Sequence, residues 1–600
     1  MMHILKLGAI GLVLAAVSTA RSAELPKAGK MTRVCAVCQS WEPKDRNLPH
    51  VLEMLDQAAA ERADVVCLPE ECVPTDGGPS ARAALAAISK AAAARSMIVA
   101  ANLKEKDGDK LYSTSYLIGP DGKLIGKYRK SHRLPYEPIA LGSALPVFDT
   151  PCGKIGLMIG SDHYWFEVPL VLALQGADLI LWSHGPEPVP QDCPLDITMR
   201  IRAFDNHLTL AVANYAGELP YLCSNWPEYT GQPLGRGCVL DRSGIAVADT
   251  GLKAGVAVAP LDLGRGNDVY HLTFTESRSL FHYLVDPKLK PLVHRGQKRK
   301  IRVSIAQVLW EHTPNPNPNG PFLKAIDEAG HRGSDVILMA EFSYPTDTPE
   351  AAKTFAQVAE RAKKYHSYII IGGLYDPAMT YTASQTYRKG QRASWAYLWD
   401  RTGKVVAKYR ISQYGGSKEL PVFKTDFGVI GLMLCGDIYS PEISRAMVLQ
   451  GAEILLDGAQ SWGASGQFNL RMQQARALDN AVYMVAAHFP RSDVGQRSYV
   501  IDPYGYPVAA SDYWRDSVCS ADIDLDAGRV WFAPSAKPGT AGRPGYLAGY
   551  YPATIPEKRT DFRSVLFAGR RPELYRPIVE KTLADRDFSP ETKRKMKEPR

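Results

Sequence analysis

Past its N-terminal stretch the chain lacks any apolar run approaching the ~18 residues that a membrane-crossing helix needs, which sets aside a polytopic membrane protein. It also lacks a dominant charge: 71 Lys and Arg against 63 Asp and Glu leave 71 − 63 = +8 over 600 residues. The visible basic runs, Lys298-Arg299-Lys300 and Lys593-Arg594-Lys595, read as a solvated linker and terminus rather than phosphate-binding stripes, so no nucleic-acid partner is implied. The ten cysteines show no short-scaffold spacing; eight lie before residue 240, and their pairing cannot be read from sequence. At 45% hydrophobic and 22% charged, the chain is neither disordered nor collagen-like. It is too long for one core.

The N-terminus carries a leader pattern. One lysine precedes an almost continuous apolar stretch, Leu7–Ala16, and the small residues Ser18-Thr19-Ala20 follow. This is the n-region, h-region and cleavage site of a secretory signal, so residues 1–23 are expected to be removed and the protein to be periplasmic or secreted, without stable membrane insertion. Export permits disulfides. Cys35-Ala-Val-Cys38 has redox or metal spacing, yet it sits in a strand-like run, where residues three apart point to opposite faces; two small core residues are expected.

A repeat organises the rest. Gly153–Leu181 aligns without a gap to Gly428–Leu456 at an offset of 275, with 13 of 29 positions identical. Ala63–Glu70 echoes Ser334–Glu341, Gly122–Arg129 echoes Gly403–Arg410, and Arg202-Ala-Phe-Asp-Asn206 echoes Arg476-Ala-Leu-Asp-Asn480, with offsets from 271 to 281. The chain is therefore a tandem duplication: domains over 30–285 and 301–578, a Pro- and Lys/Arg-rich linker over 286–300, and a charged tail over 579–600. Within each copy strand and helix alternate. Strands are expected at Arg33–Cys38, Asp64–Leu68, Met97–Ala101, Ile155–Ile159 and Asp178–Trp182. Helices are expected over Pro49–Arg62 and Ser80–Ala94, with a hairpin of Thr114–Ile118 and Leu124–Lys127. Ser440-Pro441-Glu442 supplies an N-cap, a first-turn proline and an early acid. The class is α/β.

Chemistry-bearing residues fall at strand ends, where open α/β sheets present them. In the first copy these are Glu70, Lys130 and Gly160; in the second, Glu341, Ile411 and Cys435. A cysteine before a turn and a capped helix can be a nucleophile, since a helix N-terminus favours thiolate, or it can be an inert buried thiol. A carboxylate can take its proton, and a lysine can stabilise an oxyanion.

The segments Leu68-Pro-Glu70, Lys127-Tyr-Arg-Lys130 and Gly431-Leu-Met-Leu-Cys-Gly-Asp-Ile-Tyr-Ser-Pro-Glu442 resemble the three signature blocks of the nitrilase, or carbon–nitrogen hydrolase, superfamily. The Arg-Ala-x-Asp-Asn segments and Asp502-Pro-Tyr-Gly505 are similar to it as well. The resemblance implies two tandem αββα four-layer sandwiches packed as an internal pseudo-dimer, further assembly being possible. It implies a Glu–Lys–Cys triad that cleaves amides, N-carbamoyl groups or nitriles through a thioester-type acyl-enzyme, with no metal or other cofactor. Each copy departs from the pattern. The first keeps Glu70 and Lys130, and Glu137 falls where a second glutamate is often found, but Gly160 stands at the nucleophile position. Ser161 is adjacent, but Asp162 keeps the register. The second keeps Glu341 and Cys435, but Ile411 replaces the lysine, and its following loop is shorter by 281 − 275 = 6 residues. Lys408 or Lys418 could substitute. Two functions follow as expectations: an exported amidase-type hydrolase using Cys435 and Glu341, or a catalytically impaired binding or scaffold protein with two decayed sites.

Overall fold

The computed structural model describes residues 31–40, 46–134, 137–185, 194–218, 233–263, 282–289, 299–309, 314–375, 394–412, 419–459, 466–490, 496–526, 531–532 and 560–580. The expected leader, the tail beyond Glu580, Lys418, Cys193, Cys223 and most of the linker lie outside them.

The first copy is built from β1 (Met31–Ser40), α1 (Asn47–Ala60), β2 (Val65–Cys67), α2 (Pro79–Arg95), β3 (Ile98–Asp107), β4 (Lys110–Ile118), β5 (Leu124–Arg129), β6 (Val147–Thr150), β7 (Gly153–Ile159), α3 (Glu167–Leu174), β8 (Leu179–Ser183), α4 (Pro194–Asn206), β9 (Thr209–Glu218), β10 (Cys238–Leu240), β11 (Ala246–Asp249) and β12 (Gly255–Asp262). One sheet runs β5-β4-β3-β2-β1-β12 and a second runs β6-β7-β8-β9-β10-β11; a short parallel pairing of Cys38–Ser40 with Asn214–Ala216 joins them. The expected strands, helices and hairpin all form, with ends shifted by a few residues.

The second copy repeats this order: β13 (Lys300–Gln307), α5 (Pro321–His331), β14 (Val336–Pro345), α6 (Pro349–Tyr365), β15 (Tyr368–Tyr375), β16 (Trp395–Trp399), β17 (Val405–Arg410), β18 (Val422–Lys424), β19 (Val429–Leu434), α7 (Pro441–Leu449), β20 (Ile454–Gly458), α8 (Gly466–Asn480), β21 (Tyr483–Ala487), β22 (Tyr499–Ile501), β23 (Pro507–Ala510) and β24 (Ser517–Asp524). Its sheets run β17-β16-β15-β14-β13-β24 and β18-β19-β20-β21-β22-β23, strand for strand as in the first copy.

Side-chain alternation explains the layers. On β1, Val34 and Ala36 face the other sheet, while Cys35 and Val37 pack under α1 and α2 with Val51, Leu55, Ala84 and Ile88. Both faces are covered, so the strand reads as an unbroken apolar run. Cys35 and Cys38 are buried free thiols, and burial pushes both upward from the ordinary thiol range, as the core reading expects.

The two sandwiches meet through α4 and α8. Short segments also cross between them. The turn His282–Val285 packs on α7, and α9 (Phe562–Ala568) with the residues up to Glu580 packs on the first copy. Trp165 Nε1 donates to Leu566 O at 2.9 Å, and Tyr575 Oη lies 2.7 Å from His132 Nε2. Buried apolar residues of both copies form one continuous core.

Candidate active sites

Each site is a turn at the C-terminal end of the strand next to the edge of the second sheet, β7 in the first copy and β19 in the second. In the first copy Ile159 leads into Gly160–Tyr164; in the second Leu434 leads into Cys435–Tyr439. Both turns are tied down by a buried aspartate. Asp162 accepts from Tyr128 Oη (2.8 Å), Ile159 N (2.9 Å) and His132 N (3.1 Å). Asp437 accepts from Tyr409 Oη (2.7 Å), Leu434 N (3.0 Å) and Ser412 N (3.0 Å). The tyrosine of each Lys-Tyr-Arg block is thus a brace for the turn. The first turn residue is left-handed in both, φ +43° at Gly160 and +46° at Cys435. A glycine adopts this without strain; for a cysteine it costs about 1–3 kcal/mol, which the surroundings must offset.

Around Gly160 the acid and the lysine have closed on each other. Lys130 Nζ lies 3.0 Å from Glu70 Oε1 and also bonds Glu137, while its own backbone N–H donates to Ser113 O at 2.9 Å. Burial alone would lower the Lys130 ammonium, but Glu137 and Glu70 outweigh it and hold the group above its ordinary range. Burial lifts Glu70 to about 7 against the pull of Lys130. A Cβ placed on Gly160 would collide with Glu70 Oε2 and lie 2.7 Å from Lys130 Nζ, so the acid and the lysine fill the space a nucleophile's side chain would need. Ser161 Oγ is engaged by Glu137 Oε2 (2.9 Å) and His132 O (3.2 Å), away from a nucleophile's position.

Around Cys435 the arrangement is complementary. The thiol is half-buried and hydrogen-bonds the Glu341 carboxylate, which also accepts from Ser394 Oγ at 2.6 Å. Burial raises Glu341 above its ordinary value, as a proton-accepting group near a thiol requires. Ile411 N donates to Ser394 O at 3.1 Å, just as Lys130 N does to Ser113 O, so Ile411 occupies the lysine's backbone position and presents a buried alkyl chain instead. Lys408, considered as a substitute, is exposed and lies over the Tyr397 ring at 4.8 Å. Ser440 takes the N-cap position of α7 with Pro441 following, but its hydroxyl makes no capping bond.

Two features escaped the sequence reading. Ser113 and Ser394 steady the two acids, and their signal is positional: each precedes its Lys-Tyr-Arg block by 14 residues (127 − 113 and 408 − 394). Asp457 is a fully buried carboxyl on β20 with no hydrogen-bond partner on either oxygen among the described residues. Burial, and then the nearby Asp437 and Glu341, hold it well above the ordinary carboxylate range. Its counterpart Trp182 donates Nε1–H to Gly160 O at 3.1 Å; a lone acid in the run Ile454-Leu455-Leu456-Asp457 was its trace in the sequence.

One site thus holds a thiol on a left-handed strand-to-helix turn, hydrogen-bonded to a buried carboxylate in an αββα sandwich, and the other holds the acid without the thiol. The carbon–nitrogen hydrolase family model matches residues 32–270 and again 320–532, and the chain belongs to that family, whose members act on non-peptide carbon–nitrogen bonds. Among curated proteins it is similar to the omega-amidase NIT2 of Bos taurus, 26% identical over 247 residues, covering 37% of this chain and 84% of that one. It is also similar to a nitrilase of Pyrococcus abyssi, 39% identical over 125 residues, covering 20% of this chain and 45% of that one. Among solved structures, Nit3 of Saccharomyces cerevisiae aligns at 25% identity and TM-score 0.34, over 39% of this chain and 90% of that one.

Proposed function

We propose that the protein is an exported amidase-type hydrolase whose second domain does the chemistry. The carrying observation is the Cys435–Glu341 contact on the left-handed turn. Glu341 takes the thiol proton as sulfur attacks the carbonyl carbon of a small amide or N-carbamoyl amine. The carbon–nitrogen bond then breaks, and the proton passes to the departing amine. Water, giving up a proton to Glu341, attacks the thioester, releases the acid and restores the thiol. Without a lysine, oxyanion stabilisation falls to uncharged donors, and a loss of ~10²–10³ in rate relative to a complete triad is expected. The leader over 1–23 supports export.

A second reading, a binding or scaffold protein, is favoured by Gly160 and Ile411, since each copy lacks one triad member. Ammonia release from a panel of amides and N-carbamoyl amines separates the two. Turnover that disappears in Cys435→Ala supports the hydrolase; equal rates in both proteins would dismiss it. Saturable ligand binding without a covalent adduct on Cys435 would support the second reading.

A further inference from the structure

The Arg-Ala-x-Asp-Asn segments sit at the ends of α4 and α8, where the two sandwiches touch. Each arginine is fully buried and faces two ways. Arg476 Nε donates to Ile438 O at 2.9 Å, inside the turn that carries Cys435. Its Nη1 and Nη2 donate to the two oxygens of Asp205, on the first domain, at 2.8 Å each. The mirror arrangement joins Arg202 to His163 O at 3.0 Å, in the turn of Gly160, and to Asp479 of the second domain, at 3.1 Å through Nη1. The asparagines close the ends: Asn206 Nδ2 donates to Arg202 O at 2.8 Å and Asn480 Nδ2 to Arg476 O at 2.9 Å. Each turn is therefore gripped by an arginine of its own domain, whose planar fork is aimed by a carboxylate of the other.

The two grips have unequal consequences. The turn at Gly160 is relaxed and bears no thiol. The turn at Cys435 holds a non-glycine residue at φ +46°, and its thiol must stay on Glu341. We infer that Asp205 of the first domain is a positioning residue for Cys435, acting through Arg476 and the Ile438 carbonyl, so that the domain without a nucleophile serves as a built-in support subunit for the other. The inference rests on Cys435 being the working thiol.

The test compares Asp205→Asn with Asp479→Asn in the full-length protein. Both remove one arm of a fork at the same interface, but Asp479 aims the arginine of the empty turn and lies 4.0 Å from Arg476. The readout is the rate of Cys435 alkylation by iodoacetamide, followed by peptide mass spectrometry, which needs no substrate. Asp205→Asn is expected to slow alkylation about five- to tenfold as sulfur parts from its base, and Asp479→Asn by less than about twofold. Equal slowing in both, no slowing in either, or faster alkylation in Asp205→Asn overturns the inference. Should Asp205→Asn not fold, Asp205→Glu, which keeps the charge and displaces it by one methylene, is read by the same criteria. Amide turnover that survives Cys435→Ala would instead sink the hydrolase reading, and the alkylation contrast would stand or fall separately.

Discussion

The turns at Gly160 and Cys435 share a backbone and differ in their chemistry. Both start left-handed, both hang from a buried aspartate braced by a tyrosine, and both are held by an arginine of their own domain. One has an acid and a lysine but no thiol; the other has an acid and a thiol but no lysine. The comparison teaches that the turn is held by its scaffold and not by its reactive side chain. At Gly160, where no thiol is present, the turn keeps the same form, and Glu70 and Lys130 stand in the space a side chain would need.

The sharpest way to break the comparison is to remove what the second site has and the first lacks. Cys435→Ala is expected to cut ammonia release from amides by at least about 10³-fold, with thermal stability little changed. Next comes a transplant in the other direction. Ile411→Lys places an ammonium beside Glu341, Asp437 and Asp457, and steady-state assays should show a rise of about 10²–10³ in kcat. No rise would show that uncharged donors already do the lysine's work.

Gly160→Cys, made in the Cys435→Ala background, addresses the first site. The left-handed φ matches that of Cys435, but the new Cβ meets Glu70 and Lys130, so a stability loss of about 1–3 kcal/mol is expected in thermal melts. Asp457→Val removes a buried, unpartnered carboxyl, and a gain of about 1–3 kcal/mol is expected from the same measurement. The mildest contrast is in pH. Glu70 holds its proton more tightly folded, at about 7, than at its ordinary 4.5, so its contribution to stability is full below about 4.5 and is lost as pH rises to about 7. Denaturation across that window should show a downward slope that Glu70→Gln removes.

Much of this is legible in the amino-acid sequence. The duplication, the alternation of strands and helices, and the positions of Glu70, Lys130, Glu341 and Cys435 follow from spaced repeats, because side-chain periodicity and strand-end positions are local properties; Glu137 came only from the family resemblance. The structure groups Glu70, Lys130 and Glu137 at one turn and Glu341 and Cys435 at the other. What escaped was relational. The closeness of Glu70 to Gly160 depends on the absence of a side chain there. The role of Asp205 depends on a partner 271 residues away in sequence, and Asp457 stands out by lacking, among the described residues, the bonds that buried carboxyls usually make.

The crossing of the last described helices onto the front half has a practical corollary. Tyr575 meets His132, and Arg571 donates to the carbonyls of Ser131 and Gly142 at 3.1 Å each, on the loop beside Lys130. A protease nick or premature stop near residue 560 would therefore release this strap from its contacts more than four hundred positions upstream. Cutting the gene at the seam would not yield two independent halves, since each would be shorn of the strap that the other wears.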